Sequence, residues 1–139
     1  MNAKKLLMAW LAAFVVMFVV SFVWYNYIIA ECNAEQFKDV LRAEKSMGLI
    51  AVGYLVISFL LAYVYPIGYQ GGTPMSEGMR FGIIMGLIVA VPAALISAGA
   101  YNMPLGANIV DAIYRIVEIT LGAMAMAVVY GDLSAAPEG

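Results

Sequence analysis

Four apolar runs, each long enough to cross a lipid bilayer, account for most of this sequence. They cover residues 6–30, 47–67, 79–101 and 109–131, and about 20 apolar residues in a helix suffice to cross the hydrocarbon layer. Of the 139 residues, 65% are hydrophobic and 12% are charged, whereas a soluble domain has roughly 45–50% and 25%. We therefore predict an all-α integral membrane protein, with one domain over residues 1–139 and four transmembrane helices in an antiparallel bundle.

The composition also limits which reactions and ligands are open to this chain. The sequence has no histidine and a single cysteine, Cys32, which removes the commonest general base, the usual haem and metal ligands, and any internal disulfide. We therefore expect no catalytic residue, no metal and no cofactor, and a protein that is not an enzyme. The formal net charge of −2 lacks the basic excess that nucleic-acid binding requires.

The first run is followed by the most polar segment of the chain. Residues 6–30 exceed the roughly 7–15 apolar residues of a signal peptide, so we expect an uncleaved span. After it, Asn33 and Gln36 resemble a capping box, and Phe37 and Leu41 recur at helical spacing. This pattern predicts a short amphipathic helix over residues 33–45 that lies on the membrane surface. The alternative is a solvated connector whose charges pair with one another.

Small residues mark one face of the third run. Thr73 and Pro74 provide a cap and a first helical residue, and Glu77 is placed to pair with Arg80. Beyond them, small residues recur every three or four positions, which favours close helix packing; they are Gly82, Gly86, Ala90, Ala93 and Ser97. Pro92 near mid-span predicts a kink, either a packing feature or a hinge.

The fourth run carries charges inside an otherwise apolar helix. At about 100° per residue, Asp111, Arg115 and Glu118 fall within a wedge of roughly 60°, and Gly122 continues their face. We expect this polar cluster to face protein and the large aliphatic side chains to face lipid. Asn108 is predicted to cap the helix. Glu118 lies near mid-span, with Arg115 as its expected partner, although Arg115 can also pair with Asp111.

The pattern of spans resembles small four-span bacterial membrane protein families of unknown function. The resemblance rests on Trp24-Tyr25 at the end of the first span, the segment EGMRFG over residues 77–82, and Asp111 followed by Tyr114-Arg115. It implies a multi-pass protein of the bacterial inner membrane and no established chemistry. Lysine and arginine are balanced between the two sides, but Lys4 and Lys5 directly before the first span favour cytoplasmic termini, including the acidic tail 132–139.

Three functions remain open from the sequence. The first is a non-catalytic accessory or structural subunit, which packs through its small-residue faces into a homo-oligomer or a larger membrane complex. The second is a small transporter or channel for a proton, cation or small solute that uses Glu118 and Arg115. The third is an intramembrane enzyme or a binder of lipid or quinone, with a cleft near Tyr101 and Tyr114 and a polar head group at Arg115.

Overall fold

The chain folds into an all-α bundle with four helices long and apolar enough to span a membrane, as predicted. The computed structural model describes residues 2–133, with only the backbone of Asn33, so the tail residues 134–139 lie outside the described part. The helices are α1 Ala3–Val23, α2 Ala30–Gln36, α3 Met47–Gly68, α4 Pro74–Ala100 and α5 Leu105–Tyr130. Helix α1 continues into a π-helical turn at Trp24–Ile28.

Three of the long helices begin at a capping side chain. Asn2 accepts a hydrogen bond from Lys4 N at 3.0 Å, and Ser46 and Thr73 cap α3 and α4. Asn108 was predicted to cap α5, and this is wrong. The helix begins at Leu105 after an extended Pro104, whose carbonyl accepts the Asn108 N–H at 3.2 Å. Asn108 therefore lies inside the first turns of α5, where its side chain is not used as a cap.

The connector between α1 and α3 holds less helix than its amphipathic pattern predicts. Helix α2 starts at Ala30, before the predicted cap at Asn33, and ends at Gln36. The chain then turns, with the Phe37 carbonyl accepting from Val40 N and Leu41 N. The predicted helix over residues 33–45 is thus shorter and displaced toward α1. Its position on the membrane surface stays a prediction.

Helix α5 is the centre of the bundle. It packs against α4 on one side and α1 on the other, and α3 packs mainly on α1. The N-terminus of α1 lies beside the C-terminus of α5, because Lys5 Nζ donates to the Tyr130 carbonyl at 3.1 Å. We call this the terminal end of the bundle, and the opposite end, which carries residues 29–46, the connector end. Large aliphatic side chains of α5 such as Ile113, Val117 and Val128 are exposed on the outside of the bundle, where they would meet lipid.

Three glycines allow α4 to lie directly on the backbone of α5. A Cβ on Gly82 would lie 2.5 Å from Thr120 Cα, and a Cβ on Gly86 would lie 2.9 Å from Ile116 Cα. One turn earlier, a Cβ on Gly78 would lie 2.8 Å from Met124 Cα. Side chains at these positions would force the helices apart, so the small-residue face is used inside the chain.

The terminal end is held by a compact polar cluster. Buried Glu77 accepts hydrogen bonds from Arg80 Nη2 at 2.7 Å and from Gln70 N at 3.0 Å. Arg80 also donates to the Gly68 carbonyl at 2.6 Å. The expected pair of Glu77 and Arg80 is therefore formed, and it joins the end of α3 to the start of α4.

Candidate functional site

A cavity of about 810 Å³ lies at the connector end of the bundle. Its walls come from α1, α3, α5 and the connector, and much of the lining is apolar, including Phe18, Phe22, Leu49, Ile50 and Ile57. Its volume falls in the range of about 300–1,000 Å³ that is usual for small-molecule sites. The charged side chains that line it are Arg42, Lys45, Asp111, Arg115 and Glu118.

The π-helical turn of α1 contributes two aromatic residues to the site. Trp24 stacks on Tyr114 of α5 with ring centroids 4.6 Å apart, and Tyr25 meets the same ring edge-on at 5.4 Å. A π-helical turn is wider than an α-helical one and is frequent at functional sites. Here it presents two consecutive aromatic side chains to α5.

Asp111 is held between two donors. The Tyr25 hydroxyl donates to Asp111 Oδ1, and Arg115 Nε donates to Asp111 Oδ2 at 3.1 Å. A helical side chain leans toward the N-terminus of its helix, which brings Arg115 back onto the residue four positions earlier. Of the two partners that the sequence offered to Arg115, the one used is Asp111.

Glu118 has tyrosines as partners, and its expected pairing with Arg115 is not formed within residues 2–133. Its side chain is only 1% exposed. The hydroxyl groups of Tyr54, on α3, and Tyr114, on α5, both donate to Glu118 Oε1 at 2.7 Å. Tyr114 lies four residues before Glu118, a spacing visible in the sequence, whereas Tyr54 comes from another helix and its role required the fold.

Some hydrogen-bond donors at the site have no partner in the part of the chain that the structure describes. Asn108 is 7% exposed, and its Nδ2 makes no hydrogen bond. The only hydrogen bond of Arg115 among residues 2–133 is the one from Nε, and its side chain is 41% exposed. Buried polar groups are nearly always paired, so the unpaired amide of Asn108 calls for an explanation.

A second, smaller space of about 230 Å³ lies between α4 and α5, where Asn108 and Arg115 form part of its lining. Asn108, Asp111 and Arg115 line both spaces, as does Ser97. Ala93, expected to pack against another helix, is exposed on the surface of the bundle and lines the smaller space. The helices therefore touch along Gly78, Gly82 and Gly86 and leave room toward the connector end.

The remaining candidates lie outside the polar cluster. Ala90 is buried against α5, and Gly122 faces α1, where a Cβ would come within 2.5 Å of the flexible Met17 side chain. Pro92 is exposed, and α4 continues through it as one helix from Pro74 to Ala100. The role of Pro92 as a hinge stays a prediction.

Fold and site together define a four-span helical membrane protein with a cavity at one end that is lined by charged and apolar side chains. No family model, curated protein or solved structure matches the chain. The resemblance to small four-span bacterial families therefore stays a prediction, and the function is argued from the cavity itself.

Proposed function

We propose that this protein binds a small molecule in the connector-end cavity and works as a small transporter or carrier, without catalysis. The observation that carries the proposal is the position of the polar cluster: Asp111 and Arg115 line an 810 Å³ space with apolar walls. Charged groups inside a membrane protein are costly and usually mark a pathway for solutes or ions. A cluster needed only to hold helices together would be expected in a closed interface.

The small-residue faces support the same choice. An accessory subunit was expected from glycines and alanines free to pack against other chains. Gly82 and Gly86 instead contact the α5 backbone of the same chain. These two glycines therefore no longer support the accessory-subunit function. The multi-pass location in the inner membrane and the cytoplasmic termini remain parts of the proposal. Lys5 and Tyr130 lie at the same end of the bundle, which supports a single side for both ends of the chain.

Access of water to the cavity tests the proposal. In a Cys32→Ser background, Ile57→Cys would place a thiol in the cavity wall, and Val56→Cys would place one on the outer face of the same helix turn. A membrane-impermeant maleimide should label the first variant and leave the second unlabelled, because a thiolate forms in water and not in lipid. Absence of labelling at Ile57→Cys, or equal labelling of both, would contradict the proposal.

A structural subunit is the second candidate, and a specific surface favours it. The end of α4 carries small residues that the bundle leaves exposed, including Ala93 and Ala100, and a Cβ on Gly99 would meet nothing within 4 Å. Another membrane helix can approach such a surface closely. A defined oligomer measured by mass in detergent, disrupted by Ala93→Phe, would favour this function, whereas a monomer would count against it.

Proton transfer through Glu118 is the narrower form of the transporter proposal. Glu118 is buried near the middle of α5 between two tyrosine hydroxyls. Proton flux into liposomes that falls on Glu118→Gln substitution would support this form. Equal flux in the two proteins would exclude Glu118 as the carrier.

A further inference from the structure

We infer that the cavity takes an amphipathic oxyanion, a carboxylate or phosphate head group carried on an apolar chain, with the head group bound by Arg115 and Asn108. This inference rests on the proposed function, because it assigns a ligand to the same cavity.

The two carboxylates of the site differ in how fully they are used. Asp111 accepts from Tyr25 and Arg115, one donor on each oxygen, whereas Glu118 accepts both tyrosine hydroxyls on Oε1. A cationic ligand at Asp111, the carboxylate next to Arg115, would have to share oxygens that already accept these hydrogen bonds.

The donors, in contrast, have capacity to spare. The terminal nitrogens Nη1 and Nη2 of Arg115 make no hydrogen bond within residues 2–133, and neither does Asn108 Nδ2. A guanidinium presents a planar fork of N–H groups that matches carboxylate and phosphate oxygens. An oxyanion would satisfy both groups at once.

The two donors border one space. Asn108 lies about two turns before Arg115 on the same face of α5, and the Arg115 side chain leans back by a turn to reach Asp111. Both residues line the large cavity and the smaller adjoining space. Arg42 and Lys45 of the connector also line the cavity, and their charge would attract an anion toward it.

The apolar walls indicate the rest of the ligand. Phe18, Phe22, Leu49, Ile50 and Ile57 line the same cavity, which offers a free inorganic anion little to contact. A chain attached to the head group would bury apolar surface there, which favours binding. Head group and chain together fit a charged corner beside an apolar wall.

The test is native mass spectrometry of the full, delipidated chain in detergent. The probes are oleate, dioleoyl phosphatidic acid, inorganic phosphate and dodecyltrimethylammonium. We expect a one-to-one adduct with at least one of the first two, and no comparable binding of the last two. The oleate and phosphatidic acid arms distinguish a carboxylate from a phosphate head group. Stronger binding of the cation, or equal binding of inorganic phosphate, would overturn the inference.

Two variants locate the head group. Asn108→Asp is isosteric, replaces the free donor with a charge of the wrong sign, and is compatible with the first turns of a helix. Arg115→Gln removes the guanidinium. Each should weaken binding at least tenfold, whereas Lys38→Gln, which removes a charge from the connector outside the cavity lining, should leave binding unchanged.

The folding of each variant is checked by its helicity and its unfolding midpoint. If Arg115→Gln does not fold, Asn108→Asp decides the question alone. Wild-type affinity in Asn108→Asp would overturn the assignment.

Failure of the ligand and failure of the cavity are distinguishable. If Ile57→Cys is labelled from water but neither oleate nor phosphatidic acid binds, the cavity stands and the ligand class is wrong. If Ile57→Cys is not labelled, the proposed function fails first and this inference fails with it.

Discussion

Glu118 is a buried acidic residue in a membrane-spanning helix, so it depends on hydrogen-bond partners from its surroundings. An acid near the middle of a membrane-spanning helix costs several kcal/mol unless it is paired, hydrated or protonated. Tyr54 and Tyr114 supply two hydroxyl donors to a side chain that is 1% exposed. The tyrosines therefore replace the salt bridge that the spacing of Arg115 and Glu118 predicted.

Removal of one hydroxyl should measure this arrangement. We expect Tyr54→Phe to lower the free energy of unfolding by about 1–3 kcal/mol, because it deletes one of the two hydrogen bonds that a buried carboxyl group receives. The measurement is the unfolding midpoint in detergent. The control is Tyr63→Phe, an exposed tyrosine on the same helix, which should change little. Equal midpoints for the two variants would show that the Tyr54 hydroxyl contributes nothing.

At the scale of elements, α4 and α5 form the closest pair in the bundle. Gly78, Gly82 and Gly86 are spaced one turn apart and meet the backbone of α5 at Met124, Thr120 and Ile116. The sequence showed the motif at Gly82 and Gly86, but it did not show which helix the motif would contact. A GxxxG face serves a neighbour in the same chain as well as one in another chain.

A single methyl group should disturb this pair. Gly82→Ala places a Cβ 2.5 Å from Thr120 Cα, so the helices must separate, at a cost of about 1–3 kcal/mol. Gly99→Ala on the same helix meets nothing within 4 Å and should be neutral or stabilising, since alanine is the better helix former by about 1 kcal/mol. Unfolding midpoints in detergent compare the two. A loss of stability from Gly99→Ala as large as that from Gly82→Ala would contradict internal packing as the cause.

At the scale of the whole molecule, the four long helices place the connector and the terminal end on opposite faces of the membrane. The native Cys32 is exposed in the connector, and Gln70 is exposed in the loop between α3 and α4 at the terminal end. With cytoplasmic termini, Cys32 faces outward.

Labelling of intact cells tests this orientation. An impermeant maleimide should label the native protein at Cys32 and should label a Cys32→Ser/Gln70→Cys variant only after the membrane is permeabilised. The reverse result would invert the orientation and leave the bundle intact. Labelling of both proteins in intact cells would place positions 32 and 70 on the same side of the membrane. That result would contradict the assignment of α3, the one long helix between them, as a span.

The sequence by itself determined that this chain spans a membrane four times, because length and hydropathy are local properties that bilayer thickness converts directly into helices. It also determined that α5 carries a polar face, through the 3.6-residue period that aligns Asp111, Arg115 and Glu118. The tertiary structure decided which polar groups meet. Tyr54 reaches Glu118 across 64 residues of sequence and Tyr25 reaches Asp111 across 86, and such contacts depend on how helices pack, which no local pattern encodes.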